Sequence, residues 1–467
     1  MDVLGRPSIL TVSLRRAKLV SMLVVAGWIA GCSGSAPPKT IPSPPEPFNE
    51  LKKKIAALRE LPFKREVSFV NEPPGTLEAS PAKFFTEPYL GQSIVDISRT
   101  YKRLGLFPES TDFAKALADY SRLERIFYYE ASRATIVMTP DSAELARTMS
   151  GVPNPDLEQI STVLALAQAL QEQNFQWQER LKRVSLEDRK LVFGALAAGD
   201  ASLVGVHYLR RLQPTIPPPS SDPSLAAWVA ALEKMASDLP PLLRQKLIFP
   251  YREGSQFVRW AHAARGWPGV NGLFVDPPLS TAQILHPEKY YLKRQNPQRI
   301  SFPGLAQQMN ERAVVDQTLG EYLVQLLVLS RLSRQEATQL AASWSGDQLS
   351  VYQEGEHTLT VWITAWQSNQ DAQGFFRIYQ SVLEQSHRLR FQAHDGGDSG
   401  VHAELAGGRS MLLQIKGKFV LLLDGAAATR VGPLSDAVWR DLDVDTESTV
   451  LFFESAKAAA QLSFSSK

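Results

Sequence analysis

The chain has 467 residues, of which 44% are hydrophobic, so it is long enough for more than one domain and for a large buried core. Its 50 Lys and Arg residues nearly balance its 48 Asp and Glu residues, which gives no electrostatic argument for binding nucleic acid or a strongly acidic substrate. A single cysteine, Cys32, excludes an intramolecular disulfide, so the core must hold the fold together.

The N-terminal residues have the pattern of an export signal. Arg15, Arg16 and Lys18 precede an apolar run at 19–30 that is too short to span a membrane as a helix of the folded protein. The run ends in Ile29-Ala30-Gly31-Cys32, which resembles the bacterial lipobox. That resemblance implies that residues 1–31 are removed as a signal peptide and that the thiol of Cys32 receives a lipid.

Residues 32–50 form a predicted tether, because a proline-rich stretch follows the cysteine. No second apolar run in the sequence approaches the pattern of a membrane span, so the lipid on Cys32 is expected to be the membrane anchor. Ser33, rather than Asp, follows the cysteine. By resemblance to enterobacterial sorting rules, we expect the protein at the bacterial cell envelope, on the periplasmic face of the outer membrane.

Hydrophobic periodicity predicts an α+β protein with two domains. Residues 51–310 are expected to be mainly helical with a small β-hairpin at 126–138, and residues 311–467 to form a smaller α+β domain with an antiparallel sheet. The predicted helices are 48–61, 82–106, 112–125, 154–181, 185–211, 225–246, 253–265, 281–286, 314–332, 334–344 and 372–383. The predicted strands are 65–70, 126–130, 134–138, 349–353, 358–365, 389–393, 411–415, 419–423 and 449–453.

Two of these helices carry the pattern on which the functional interpretation rests. The stretch Gln168-Ala169-Leu170-Gln171-Glu172-Gln173-Asn174-Phe175 is followed by Ala198-Gly199-Asp200-Ala201. Together they resemble a little-characterised family of bacterial exported, lipid-anchored, zincin-like proteins of the gluzincin type, which have the pattern HELxHALQDQxF followed by EGDA. The likeness continues at Phe249-Pro250-Tyr251 and at 283–290. It covers residues 50 to 365 and implies a zincin-like fold for 51–310.

The resemblance also implies where a zinc site would lie and shows that its groups are replaced. Leu164 stands in place of the first histidine, Ala165 in place of the general-base glutamate, Gln168 in place of the second histidine, and Ala198 in place of the third ligand. Leucine and alanine cannot coordinate zinc, and a neutral amide is a poor ligand. We therefore expect no metal, no cofactor and no catalysis at these positions.

The same residues also have a purely structural interpretation. Leu164 and Ala198 can form an apolar contact between two helices, in which burial of Leu164 alone contributes roughly 1.5–3 kcal/mol. Gln171 and Asp200 would then supply hydrogen bonds that hold the helix pair together. The two interpretations are compatible. Core packing would be the present role of these residues, and a metal site is what the arrangement of the two helices resembles.

The remaining candidates are weaker. Seven histidines show no HxH or four-residue spacing, so no relocated metal site is expected. The hairpin at 126–138 is expected to form the rim of a cleft, with Tyr128 and His286 as possible lining residues. A loop at 394–398 could hold calcium weakly but is more typical of a hairpin turn. Gly397-Asp398-Ser399-Gly400 resembles the nucleophile loop of trypsin-like proteases without the rest of their pattern.

The sequence thus predicts a lipid-anchored envelope protein whose catalytically inactive, zincin-like domain binds a peptide or an envelope protein, or serves as a structural module. Its expected partners are the membrane, through the lipid on Cys32, and that peptide or protein; neither nucleic acid nor metal is expected. The alternative is a hydrolase with a mechanism that does not use zinc, for which Ser399 is the residue to test.

Overall fold

The computed structural model describes residues 48–72, 93–150, 155–184, 186–212, 223–309, 313–394 and 400–446. All of them belong to one compact unit that begins at Thr40. The predicted signal peptide, the lipidation site and nearly all of the tether lie outside the described residues. So do the strand predicted at 449–453, the loop at 395–399 and the first part of the helix predicted at 82–106.

The segment before residue 310 is mainly helical. Its helices are α1 (Phe48–Arg59), α2 (Ile94–Arg103), α3 (Phe113–Glu124), α4 (Pro140–Ser150), α5 (Pro155–Phe175), α6 (Trp177–Leu181), α7 (Glu187–Leu212), α8 (Pro223–Met235), α9 (Pro241–Val275), α10 (Thr281–Leu285), α11 (Glu288–Tyr291) and α12 (Pro303–Met309). Its small sheet has the order β1 (Ser68–Asn71), β3 (Thr135–Met138), β2 (Phe127–Glu130). Strands β2 and β3 form the predicted antiparallel hairpin, and β1 pairs with β3 in parallel.

The later segment contains a seven-stranded antiparallel sheet, so the predicted α+β class is confirmed. In spatial order its strands are β5 (Val315–Gln317), β6 (Trp344–Glu354), β7 (His357–Trp366), β11 (Phe419–Ala427), β10 (Arg409–Lys416), β9 (Gly400–Leu405) and β8 (Gln392–Ala393). The helices of this segment are α13 (Gly320–Val328), α14 (Arg334–Ala341), α15 (Asn369–His387) and α16 (Val431–Arg440). Strand β4 (Gln298–Ser301) pairs with β12 (Asp443–Thr446) in a separate two-stranded sheet.

The sheet is buried on both faces, as its alternating side chains show. Trp362 and Leu422 point into the core that also contains the helices of the first segment. Their neighbours Ile363 and Leu421 pack on the other side in a second cluster, together with Leu434 of α16. The division between 51–310 and 311–467 stays a prediction, and the two segments share one hydrophobic core.

Helix α7 lies at the centre of the first segment. Within the described ranges it is the helix that is long and apolar enough to cross a membrane, and its best window has a mean hydropathy of 1.3. The expectation that no second apolar run of this kind exists in the sequence was therefore wrong. Since 89% of that window is buried inside the molecule, α7 has the surroundings of a core helix. The backbone of helix α9 lies close to that of α7, as a Cβ atom added at Gly199 would overlap the backbone of Gly254.

Two buried carboxylates hold helices on the seven-stranded sheet. Asp347 on β6 accepts hydrogen bonds from the backbone N–H groups of Leu319 and Gly320 at 2.9 Å each, and from the indole N–H groups of Trp344 and Trp362 at 3.1 and 3.0 Å. These donors fix the start of α13 on the sheet. Arg103 of α2, in the first segment, forms an ion pair with the buried Asp424 of β11 and so joins the two segments.

Several predicted elements have different boundaries. The helix predicted at 154–181 is interrupted at Gln176, which adopts a left-handed conformation with φ 53°. The helix predicted at 225–246 ends at Met235, because Pro240 and Pro241 begin a new one. That helix continues beyond the expected exit at Gly266, where the chain bends with φ 61°.

The largest error in element type is at the start of the helix predicted over 314–332. Val315–Gln317 is strand β5, with Val315 and Gln317 buried and Asp316 exposed, which is the alternation of an edge strand. Helix α13 begins only at Gly320. By contrast, the predicted capping box of Ser333 and Glu336 is confirmed. The Ser333 side chain accepts a hydrogen bond from the backbone N–H of Glu336, and the Glu336 side chain accepts one from the backbone N–H of Ser333.

The close packing of α7 against α9 predicts that a single methyl group at Gly254 is destabilising. Its added Cβ would overlap the carbonyl oxygen of Ala195, and backbone atoms cannot move aside cheaply. We expect Gly254→Ala to lower the free energy of unfolding by about 2 kcal/mol or more in urea denaturation. Gly272→Ala is the matched control in the same helix, because nothing lies within 4 Å of its added Cβ. The control should gain roughly 0.5–1 kcal/mol, and an equal loss in both variants would contradict the packing argument.

Candidate functional site

The positions that correspond to zinc-site groups lie on the facing helices α5 and α7. The side chains of Leu164, Ala165 and Ala198 are 4%, 0% and 8% exposed, and Gln168 is half-buried. Leu164 and Ala165 belong to the main hydrophobic core. A Cβ atom added at Gly205 of α7 would lie 3.1 Å from the Cδ2 atom of Leu164, so the two helices are in direct contact there.

An apolar pocket opens beside Leu164. Its interior leaves about 20 Å³ for the centre of a water-sized sphere, and the total non-atom space of about 320 Å³ includes open solvent. Four elements contribute the lining residues, which are Met149, Ile160, Leu164, Ser202, Gly205, Val206, Leu209, Leu225 and Trp228. Of these nine described residues, Ser202 alone has a polar side chain. The pocket is therefore suited to an apolar group and has no charged side chain in its described lining.

The polar residues of the motif lie on the other side of the pair and have structural partners. Gln171 donates from Nε2 to the carbonyl oxygen of Ala197 at 3.0 Å, which links α5 to α7 as expected. Asp200 accepts instead from Nε of Arg59 at 2.8 Å, and both side chains are fully buried. Arg59 also donates to Asn271 at 2.8 Å and stacks on the ring of Trp267. Asp200 thus ties α1 to α7, a partnership that spacing along the sequence did not suggest.

Three aromatic rings meet near this ion pair, where α7 faces the bend in α9. The rings of His207 and His262 have centroids 5.1 Å apart, and each also contacts Trp267. Burial and nearby positive charge lower the pKa of both histidines, with Arg59 acting on His262. No pattern along the chain predicts this pair, because its members lie on different helices.

Within the described ranges, no group of three or more His, Cys, Asp or Glu side chains is arranged to hold a metal ion. The four positions that the resemblance aligns with zinc-site groups offer one amide, at Gln168, and three apolar side chains. Such a set does not fit zinc, which requires nitrogen, sulfur or carboxylate ligands.

Glu172 is the titratable group in the part of the motif on α5. Its side chain is buried, and its Oε2 atom accepts a hydrogen bond from the backbone N–H of Gln178 at 2.7 Å. Burial raises the pKa of the Glu172 carboxyl to about 7, and the hydrogen bond from Gln178 opposes that shift. The carboxyl holds the start of α6 against the end of α5, which accounts for the break at Gln176.

The two predicted cleft residues lie away from the pocket. Strand β2 turns Phe127 inward, where its ring contacts Trp228 of the pocket with centroids 5.9 Å apart. Tyr128 points to the opposite face of the strand, beside Arg125. His286 follows α10, and its Nε2 atom lies 2.6 Å from Oε1 of the buried Glu321. The hairpin therefore borders the pocket through Phe127, and neither Tyr128 nor His286 is among the described lining residues.

The comparisons with known proteins concern mainly the later segment. A family model described as a domain of unknown function (DUF8575) matches residues 307–435, which is less than half of the chain. No curated protein and no solved structure matches. The zincin-like resemblance thus stays a hypothesis. The alternative of a hydrolase also stays a prediction, and Ser399 lies outside the described residues.

The raised pKa of Glu172 predicts a pH dependence of stability. The protonated carboxyl is favoured in the folded state, so its contribution is fully present below the ordinary pKa of 4.5 and is lost as the pH rises through about 7. Glu172→Gln keeps an acceptor for Gln178 and removes the charge. We expect the variant to exceed the wild type in free energy of unfolding by about 1–3 kcal/mol at pH 8 and to match it near pH 4.

Urea denaturation at both pH values measures this difference. The exposed Glu356 provides the control, and Glu356→Gln should change stability equally at both. A Glu172→Gln variant that is less stable than the wild type at pH 8 would show that the charged carboxylate is favoured in the fold.

Proposed function

We propose that the protein is a lipid-anchored binding module of the bacterial cell envelope, in which a catalytically inactive, zincin-like helix pair holds an apolar group of a peptide or partner protein. The observation that carries the proposal is the apolar pocket beside Leu164. In the family that the sequence resembles, that position belongs to a zinc ligand. Here the same position contributes a hydrophobic wall.

The chemistry of the pocket supports binding and not hydrolysis. The described lining offers one hydroxyl, from Ser202, and no carboxylate or imidazole that could activate water. Transfer of a leucine- or phenylalanine-sized group from water to such a lining contributes roughly 1.5–3 kcal/mol. That is enough to select an apolar side chain, while the remaining affinity must come from contacts with the rest of the peptide.

The neighbouring hairpin suits a peptide ligand. Strand β2 is at one edge of its sheet, and its Phe127 ring reaches Trp228 in the pocket wall. An extended peptide lying along this rim could insert one side chain beside Leu164. Gln178 already donates to the Tyr129 carbonyl oxygen at 3.1 Å, so a peptide would pair with the edge on the Phe127 side.

A bulky residue at the mouth of the pocket should block binding. Leu225 is half-buried and lines the pocket, whereas the adjacent Ala226 is exposed and does not. In fluorescence anisotropy with a labelled nonapeptide that carries a central leucine, we expect Leu225→Trp to weaken binding by about tenfold or more. Ala226→Trp, the matched control on the same helix, should bind like the wild type.

The same peptide with serine in place of leucine tests the chemistry of the ligand. It should bind at least about tenfold more weakly to the wild type, because the serine side chain gains nothing from an apolar lining. Equal binding of the two peptides, or equal effects of the two tryptophan substitutions, would refute the pocket as the binding site.

The lipid anchor has a separate test. In a bacterial host that processes lipoproteins, the wild-type chain should be recovered in the membrane fraction and Cys32→Ser in the soluble envelope fraction. The expected physical cause is the loss of the acyl chains, each buried CH₂ of which contributes about 0.8 kcal/mol to membrane attachment. Unchanged fractionation of Cys32→Ser would refute the lipid assignment without bearing on the pocket.

A further inference from the structure

We propose that His207 and His262 form a zinc-binding site that bridges α7 and α9, independently of the four positions on α5 and α7 that the resemblance aligns with zinc-site groups. The proposal rests on the placement of two imidazoles from different helices and not on the family that the sequence resembles. It names a site of a different kind from the apolar pocket, and its ligand is a divalent cation that prefers imidazole nitrogen.

The separation of the two rings is the first argument. Their centroids are 5.1 Å apart. When two imidazoles bind one tetrahedral zinc ion through nitrogens at about 2.0–2.1 Å, their ring centres lie about 5.2 Å apart. The separation is thus compatible with one ion held between the two rings, whose planes meet at 66°.

The freedom of the ring nitrogens is the second argument. Across the described ranges, neither imidazole has a hydrogen-bond partner, and their contacts are with each other and with the ring of Trp267. Both side chains are half-buried, so solvent and ions reach them. A metal would therefore displace no existing hydrogen bond, and water would complete the coordination, since the described residues provide no group of three ligands.

The third argument concerns rigidity and charge. His207 lies on the buried helix α7, and His262 lies on α9 just before its bend at Gly266. Trp267 contacts both imidazoles and is itself covered by Arg59, so the rings are held before any ion binds. The charge of Arg59 is balanced by Asp200 at 2.8 Å, while Arg210 and Arg211 add positive charge nearby. These arginines weaken cation binding by repulsion, so we expect an ion that exchanges readily and not a permanent structural zinc.

Zinc bound here would join α7 to the part of α9 that precedes its bend. Trp267, which follows the bend at Gly266, contacts both imidazoles, so the packing of the segment that carries Trp267 and Asn271 would also depend on the ion. Through Asn271 this segment contacts Arg59 and thereby α1. Zinc is thus expected to stabilise the packing of α1, α7 and α9 against one another.

The test uses the full chain with Cys32→Ser and a purification tag without histidine. Zinc is titrated in competition with a fluorescent zinc indicator, and cobalt(II), whose visible absorption reports tetrahedral coordination, is titrated in parallel. We expect one zinc ion per chain with micromolar affinity. His207→Ala and His262→Ala should each weaken binding by about tenfold or more, whereas His357→Ala, at an exposed and isolated histidine, should leave it unchanged.

Thermal unfolding provides a second readout, since zinc should raise the midpoint of the wild type and of His357→Ala but not of either site variant. If an alanine variant fails to fold, His207→Asn and His262→Gln replace it. Absence of binding at 100-fold the expected concentration, or full binding by His207→Ala, would overturn the proposal. So would a loss that follows His402→Ala instead, because the rings of His394 and His402 form a second pair at 5.7 Å.

Discussion

The contact between α7 and α9 is the constraint on which the described structure depends. Gly199 and Gly254 let the two backbones meet without intervening side chains, and α7 is therefore covered on that side by backbone. Its other faces contact α5, whose Leu164 packs against Gly205, and Arg59, which donates a hydrogen bond to Asp200. The pocket, the buried ion pair and the histidine pair all lie along this one helix.

This arrangement separates apolar from polar surroundings on α7. One face has the lining of a hydrophobic pocket, including Val206 and Leu209. Another has Asp200 and His207, two turns apart, facing residues of α1 and α9. A buried helix with such different faces offers an apolar and a polar environment along its length, each suited to a ligand of different chemistry.

The sequence predicted what depends on local patterns. Periodicity located α3 and α15, and the spacing of Ser333 and Glu336 located the start of α14. Burial of Leu164 and Ala198 and the hydrogen bond of Gln171 to α7 agree with the structural interpretation of the motif. What it missed depends on contacts between distant residues. The strand at 315–317 exists because Val315 pairs with Val351, and Trp228 closes the pocket from a helix far along the chain.

The two-stranded sheet of β4 and β12 has a consequence for the later segment. Its strands come from just before and just after the matched range 307–435, and they pair through Ile300 and Val444. The chain therefore enters and leaves this segment at one place. A segment with adjacent ends can be transferred between host proteins during evolution with little change to the host's path. Such a transfer would have to recreate the contacts between this segment and the rest of the chain, such as the ion pair of Arg103 with Asp424.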